Sequence, residues 1–277
     1  MTERNERRGQ NPRNKSVRPS RPRTPRDDRA ERPARPERPP IATPGIDLLP
    51  HVLFRDDSLI VIDKPAGIPV HAGPKGGVTI EHGFPALRFG LPWDPQLGHR
   101  LDKDTSGCLV LGRDRKALGR LGKLFTANRI EKTYWAVVEG GPSTDTGRIA
   151  LSLSKREKAR GWHMRVDPKG QPAETYFRVL GRSERLTWLE LKPKTGRTHQ
   201  LRVHCSAKGW PILGDTVYAK AGASAPRLHL HARSIELPFY PNAKSVRVTA
   251  PVPDDMIEAL KLCGWKGESA RTPRDRT

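Results

Sequence analysis

The first 44 residues, and their contrast with the rest of the chain, set the strongest limit on what this sequence can fold into. They hold nine prolines, thirteen lysines and arginines and six acidic residues, with no aromatic side chain. A stretch with so little apolar surface cannot offset the entropy that is lost when the chain is ordered. We therefore expect a disordered basic tail over residues 1–44, a folded body over residues 45–265, and a second, shorter tail over residues 266–277.

The predicted body remains strongly basic after both tails are set aside. Residues 45–265 carry 34 basic and 22 acidic side chains, a net charge of +12. Such a surface attracts polyanions through counterion release, and RNA or DNA is the commonest such partner. An anionic membrane surface is a weaker candidate, because the sequence has no basic amphipathic helix with an aromatic face. Charge alone does not separate an enzyme from a ribosome-binding protein.

Several classes of protein are disfavoured by missing patterns. No apolar run approaches the roughly 18 residues that span a bilayer, and no apolar stretch follows the amino terminus as in a secretory signal. Cys108, Cys205 and Cys263 are too far apart for a disulfide framework or a CxxC metal site, and they fit a reducing cytoplasm. The nine histidines form no HExxH pattern and are interpreted as structural rather than as metal ligands. There is no P-loop or GxGxxG loop, so we expect a cytoplasmic protein without metal, cofactor or membrane partner.

Short strands with a few helices between them dominate the body. An N-cap at Asp114 and apolar residues at the helical period predict a helix that ends near Asn128. Because the strands do not alternate with helices in βαβ units, the predicted fold class is α+β with a largely antiparallel, mixed sheet. The remaining predicted elements are strands at Leu59–Asp63, Cys108–Gly112, Tyr134–Val138, Arg148–Leu153, Ala173–Leu180, Leu186–Lys192, Leu228–Leu237 and Val246–Thr249, and helices over Arg197–Lys208 and around Met256.

Two segments carry residues suited to chemistry. In Gly98–Gly112 (GHRLDKDTSGCLVLG) an ionisable cluster directly precedes a buried strand, which would hold a catalytic group in position. A solvated, salt-bridged loop explains the same pattern, and Asp102 with Asp104 could also form the carboxylate pair of a glycosidase. In the second segment, LKPKTGRTHQLRVH, Arg197 could orient and ionise an aspartate through its planar fork, or simply contact a phosphate or a surface partner.

Four motifs, in order along the body, resemble those of the RluA-type pseudouridine synthases. HRLDKDTSG resembles the HRLDxxTSG signature, and GRTHQLRVH resembles the second signature of the family. EKTYWAVVEG resembles the segment with the active-site tyrosine, and IDKPAGIPVH resembles the opening motif. The tripeptide Leu230-His231-Ala232 resembles a further short landmark.

The resemblance implies a pseudouridine-synthase fold with a central RNA-binding cleft, and the conversion of a uridine in RNA to pseudouridine without a cofactor. The N-glycosidic bond breaks, the uracil turns, and C5 is joined to the same ribose carbon. By resemblance, Asp102 is the catalytic carboxylate, Arg197 is its partner, and Tyr134 packs against the target base and could assist proton removal from C5. Whether Asp102 attacks the sugar, attacks the base or removes a sugar proton stays open.

The target uridine must leave its stack to reach a buried aspartate, and this costs least in the loop of a stem-loop. By resemblance, Arg100 is placed to enter the vacated space, although a plain phosphate contact would explain it as well. The other predicted RNA contacts are His99, Lys64, Lys155 and Arg156. We expect a monomer that acts on a stem-loop of tRNA or 23S rRNA, because the sequence carries no S4-type RNA-binding domain. The alternative is a non-catalytic RNA-binding protein that keeps only the fold and the charge.

Overall fold

The computed structural model describes residues 45–73, 76–158, 161–219 and 227–268. The predicted tail over residues 1–44 and most of the predicted tail over residues 266–277 lie outside the described residues. Glu268, however, is bound to the body: its carboxylate accepts hydrogen bonds from Arg233 Nη1 at 2.9 Å and from the Val252 N–H at 2.8 Å. The folded body therefore extends at least to Glu268, beyond the predicted limit of residue 265.

The described residues form twelve strands, three α-helices and two 3-10 helices. The 3-10 helices are Leu49–His51 and Ile80–Leu87, and neither was predicted. The strands and α-helices, in chain order, are β1 Val52–Arg55, β2 Leu59–Lys64, β3 Gln96–Leu97, β4 Ser106–Gly112, α1 Arg115–Thr126, β5 Glu131–Glu139, β6 Thr146–Ala150, β7 Leu153–Lys158, β8 Gly161–Val166, β9 Glu174–Arg182, β10 Leu186–Pro193, α2 Gln200–Ala207, β11 Leu230–Leu237, β12 Val246–Thr249 and α3 Asp254–Leu262.

Ten of these strands form one mixed sheet. Eight follow the order β1-β2-β4-β11-β5-β10-β9-β6, while β3 pairs with β4 and β12 pairs with β11. Only β4 and β11 run parallel; the other paired strands of the described sheet are antiparallel. Strands β7 and β8 form a separate antiparallel hairpin. This architecture confirms the predicted α+β class.

Local sequence signals account for most of these elements. The Asp114 carboxylate accepts a hydrogen bond from the Ala117 N–H at 2.7 Å, so the predicted N-cap of α1 is confirmed. The apolar face of α1 buries Leu121 and Leu124 against the sheet, as the helical period predicted. Strand β4 is buried at every position because it lies inside the sheet with core residues on both faces.

The parallel pairing of β4 with β11 requires a glycine at position 107. Gly107 has φ +106°, and a Cβ there would lie 2.3 Å from the carbonyl oxygen of Ala232. The same pairing sets Ser106 beside His231, and Ser106 Oγ and His231 Nδ1 are hydrogen-bonded at 2.9 Å. The segment that follows Asp102 is thereby fixed against a strand more than a hundred residues away.

Two predicted elements differ from the structure. The predicted strand Arg148–Leu153 is split, because β6 ends at Ala150 and β7 begins at Leu153. The Leu153 side chain is buried in a small cluster with Val203. The predicted helix from Arg197 begins instead at Gln200, since His199 has a left-handed backbone conformation with φ 52° that interrupts the helical geometry.

Candidate active site

A cavity of about 100 Å³ lies where the loop before β4, the first half of β5 and the start of α2 meet. Four of the predicted site residues line it: Arg100, Asp102, Tyr134 and Arg197. The other four lie outside its lining, and each has a different environment. Sequence reasoning did not single out five further lining residues: Thr105, Lys132, His199, Gln200 and Arg202.

Asp102 is a mostly enclosed carboxylate with a fixed backbone. Its side chain is 18% exposed, and its carbonyl accepts a hydrogen bond from the Thr105 N–H at 3.2 Å, which closes the turn that leads into β4. His199 Nε2 lies 3.9 Å from Asp102 Oδ1. The hydroxyl of Thr105 is buried and has no hydrogen-bond partner among the described residues. The cavity thus holds one carboxylate that a ligand can reach.

Arg197 does not form the ion pair with Asp102 that was predicted. Its Nε donates to the carbonyl of Pro172 at 3.2 Å, and within the described part of the chain its guanidinium is exposed and meets no carboxylate. The reason is the later start of α2, which leaves Arg197 in the preceding turn at the cavity rim. Its predicted role as the partner of Asp102 therefore has no support from the observed contacts.

Arg202, in the same motif, supplies the buried positive charge instead. Its Nε and Nη2 donate to the two carboxylate oxygens of Asp215 at 2.8 and 2.7 Å, and both side chains are almost fully buried. Burial opposes its charge, yet the hydrogen bonds to Asp215 and the charges of Asp215 and Asp102 raise the pKa of Arg202. A permanent cation therefore acts on Asp102 from the floor of the site.

Tyr134 enters the cavity from β5 and packs between two clusters of the hydrophobic core. Burial, followed by the charges of Asp102 and Cys108, raises the pKa of Tyr134 above its ordinary value of 10.0. The phenol therefore keeps its proton in the free protein. It can offer an aromatic face and a hydrogen-bond donor, but it is a weak base in this environment.

Lys64 is buried, which contradicts the prediction that it contacts RNA. Its side chain is 0% exposed, and Nζ donates to the carbonyls of Pro65, Ile68 and Lys103 at 2.7, 2.8 and 3.0 Å. Burial lowers the pKa of Lys64 from 10.5 to about 8, although nearby carboxylates including Asp104 and Asp102 act in the opposite direction. Lys64 ties the end of β2 to the loop that carries Asp102, so its role is structural.

His99 is also turned inward rather than toward RNA. Its Nε2 accepts a hydrogen bond from the Val110 N–H at 3.0 Å, and its ring packs against Phe125 at a centroid distance of 4.9 Å. Burial, with a smaller effect from Lys132, lowers the pKa of His99 to about 4. A neutral imidazole that accepts a backbone hydrogen bond fits the general interpretation of the histidines as structural, and not the prediction of an RNA contact.

Lys155 and Arg156 lie on β7, and both are exposed. The hairpin that carries them is attached to the body through Tyr218, whose hydroxyl oxygen accepts a hydrogen bond from the Met164 N–H on β8 at 2.9 Å. Neither side chain lines the cavity, so contact between them and RNA stays a prediction.

Among the residues missed by the sequence analysis, His199 and Arg202 stand in the same motif as Arg197 and could have been considered with it.

The fold and the cavity together define a class of RNA-modifying enzyme. Residues 58–207 match the family of RNA pseudouridylate synthases, and the chain belongs to this family, among its RluA-type members. It is therefore an RNA pseudouridine synthase, an isomerase.

The chain is similar to several named relatives. It is 39% identical over 209 residues to an uncharacterized RNA pseudouridine synthase of Zymomonas mobilis, a match that covers 74% of this chain and 95% of the relative. It is 34% identical over 230 residues to the ribosomal large subunit pseudouridine synthase C of Escherichia coli, with 79% and 70% of the two chains covered. The structure of human RNA pseudouridylate synthase domain containing 4 superposes with a TM-score of 0.66 at 29% identity, over 78% of this chain and 94% of that one.

Within residues 45–268, apart from the short undescribed gaps, no helix is long and apolar enough to cross a membrane. In the same described ranges, no group of three or more histidine, cysteine, aspartate or glutamate side chains is arranged to hold a metal ion.

Proposed function

We propose that the chain isomerises a uridine in a loop of the RNA of the large ribosomal subunit, or of tRNA, with Asp102 as the catalytic carboxylate. The observation that carries this proposal is the enclosed Asp102 side chain, which shares a cavity with the Tyr134 ring and lies within the field of Arg202. A carboxylate held beside an aromatic face suits a flipped uridine, because the base can pack while the carboxylate faces the reacting atoms. The name of the Escherichia coli relative favours ribosomal RNA.

The entry of the uridine is favoured by cations at the cavity rim. Arg100 and Arg197 are exposed and line the cavity, and Arg100 is two residues from Asp102. We infer that Arg100 fills the space that the flipped base leaves, and that Arg197 contacts a phosphate nearby. Lys155 and Arg156 on the exposed hairpin would hold a more distant part of the RNA backbone.

The raised pKa of Tyr134 limits its role in the proposed reaction. A protonated phenol packs against the uracil and can donate a hydrogen bond, whereas removal of the C5 proton needs a group that is unprotonated at the start of the step. We therefore assign Tyr134 to packing against the base.

The proposed enzyme works as a monomer in the cytoplasm. Support for the cytoplasm comes from the bacterial relatives and from three buried cysteines that are free thiols.

The test uses transcripts of 23S rRNA and of tRNAs labelled with [5-³H]uridine, from which pseudouridine formation releases tritium. We expect release by the native chain and none by Asp102→Asn, which should still bind the RNA in a filter assay. Asp104→Asn is the matched control, because Asp104 does not line the cavity but acts on Lys64.

Three results would contradict the proposal. Tritium release by Asp102→Asn would remove this residue from the chemistry. Release of free uracil would indicate a glycosidase. An absence of tritium release from every transcript would leave the proposed substrates without support, even though the family assignment stands on the comparisons.

A further inference from the structure

His199 has an unusual backbone conformation at the edge of the cavity. Its φ and ψ are 52° and 19°, the left-handed region that a residue with a side chain adopts only at a cost. It occupies the N-cap position of α2, yet its side chain makes no capping hydrogen bond. The conformation places the imidazole inside the site, where Nε2 lies 3.9 Å from Asp102 Oδ1. The usual reason for a polar residue at this position, capping the helix, is therefore missing.

Tyr218 determines which nitrogen of His199 carries the hydrogen. The Tyr218 oxygen accepts the Met164 N–H at 2.9 Å and lies 2.8 Å from His199 Nδ1. A phenol that accepts from a backbone N–H and donates its own hydrogen to Nδ1 has both of its contacts satisfied. Burial raises the pKa of Tyr218, so the phenol keeps that hydrogen. Neutral His199 then carries its hydrogen on Nε2, the atom that faces Asp102.

Burial keeps the imidazole of His199 neutral. Burial, the largest effect, lowers the pKa of His199 below 6.5, while Asp102 and Asp215 act to raise it. Arg202 and Arg100, which also face the ring, lower it further. Near neutral pH the group that faces Asp102 is thus a neutral N–H donor rather than a cation.

We propose that His199 is a positioning residue for Asp102, whose carboxylate accepts the Nε2 hydrogen when RNA is bound, and that Tyr218 holds His199 in the tautomer that makes this possible. The inference rests on the proposed catalytic role of Asp102. The distance of 3.9 Å exceeds a hydrogen bond, but a small rotation of either side chain closes it, and such contacts often tighten only in the substrate complex. The donor fixes which carboxylate oxygen faces the reacting atoms.

The same contacts connect the exposed hairpin to the catalytic carboxylate. Met164 lies on β8, Tyr218 contacts both Met164 and His199, and His199 faces Asp102. Binding of RNA to β7 and β8 would therefore act on the position of Asp102 through two hydrogen bonds and the proposed third.

A matched pair of variants separates the hydrogen bond from the backbone strain. His199→Leu and His199→Gln both place a non-glycine side chain in the left-handed conformation, but only glutamine can donate a hydrogen bond. In single-turnover tritium release with saturating enzyme, we expect His199→Leu to be slower by at least about tenfold and His199→Gln by about threefold, since the lost contact is a charge-assisted hydrogen bond. Both should bind the transcript with native affinity. Equal losses in the two variants would overturn the inference.

A pH profile tests the tautomer. Tyr218→Phe keeps the ring but removes the hydroxyl that contacts Nδ1, so neutral His199 can place its hydrogen on either nitrogen. The rate deficit relative to the native chain should be largest near pH 8 and should shrink as the pH falls through the pKa of His199, because an imidazolium carries hydrogen on both nitrogens.

The control is Tyr240→Phe, which removes another hydrogen-bonded phenol, 2.8 Å from the carboxylate of Asp56. It should show no deficit that depends on pH. A Tyr218→Phe deficit that is constant from pH 5 to 8 would show a merely structural role and overturn the inference. Retained activity of Asp102→Asn would instead overturn the proposed function, so the two failures are distinguishable.

Discussion

The buried ammonium of Lys64 makes a quantitative prediction about the pH dependence of folding. Lys64→Met preserves the length of the side chain but removes the three hydrogen bonds to the carbonyls of Pro65, Ile68 and Lys103. A buried acceptor left without a partner costs about 1–3 kcal/mol. At pH 7 we therefore expect the free energy of unfolding of Lys64→Met to be lower than that of the native chain by about 3 kcal/mol or more.

The sign of the pH effect follows from the lowered pKa. Folding lowers the pKa of Lys64 from 10.5 to about 8. Between these values the unfolded chain binds the proton and the folded chain does not, so stability rises with pH. Each pKa unit corresponds to about 1.4 kcal/mol, and the gain between pH 7 and pH 9.5 is therefore about 2 kcal/mol. Lys64→Met has no lysine to titrate at this position, so the difference in free energy of unfolding between the native chain and the variant grows by the same amount.

Urea unfolding, followed by the fluorescence of the six tryptophans, measures both proteins across this range. The difference between the native chain and the variant is the useful quantity, because other groups titrate in both proteins. Burial raises the pKa of Cys108 to about 12, for example, so that thiol makes stability fall as the pH rises above 9. Lys244→Met, at an exposed lysine, is the control and should give a constant difference. A constant difference for Lys64→Met as well would refute the reasoning.

Three further predictions concern the backbone and the ends of the chain. Gly107→Ala should lower the free energy of unfolding, measured by urea melts, by more than about 2 kcal/mol, because the new Cβ would overlap the Ala232 carbonyl. Gly119→Ala on α1 adds a Cβ that meets nothing within 4 Å, so it should raise the free energy of unfolding by roughly 0.5–1 kcal/mol. Truncation after residue 265 should destabilise the chain by about 1–2 kcal/mol through the lost contacts of Glu268, and truncation after residue 268 should not. Removal of residues 1–44 should weaken RNA binding and its dependence on salt without changing the melting temperature, and a truncated chain that fails to fold would contradict the predicted tail.

The sequence predicted elements that depend on local signals. The N-cap at Asp114, the buried strand from Leu59 and the hairpin that follows Ala173 are all set by nearby residues, and all are present. The order of the strands was not predicted, because it depends on contacts between distant segments. The pairing of Ser106 with His231 is the clearest case, since it needs two motifs 125 residues apart and a glycine that lets their backbones meet.

In the site, sequence motifs placed Asp102 and Tyr134 correctly in one cavity, but the roles of nearby basic residues depended on burial. The sequence analysis predicted that Lys64 and His99 contact RNA. Lys64 is nevertheless enclosed by three carbonyls, and His99 is a neutral acceptor for a backbone N–H. Composition and spacing do not distinguish a basic side chain that stabilises the fold from one that binds the ligand.

The two arginines of the second motif show why this distinction matters for catalysis. Arg202 cannot leave Asp215 without removing the only cation that the described residues pair with this buried carboxylate, so the charge of Arg202 acts on Asp102 before any RNA arrives. Within the described part of the chain, the Arg197 guanidinium donates to the carbonyl of Pro172 and is exposed at the rim, so it can change partners at little cost. A charge that acts on Asp102 in the free protein must be permanent, and a charge that binds a phosphate must be accessible. The later start of α2, caused by the left-handed conformation of His199, is what assigns the first role to Arg202 and the second to Arg197.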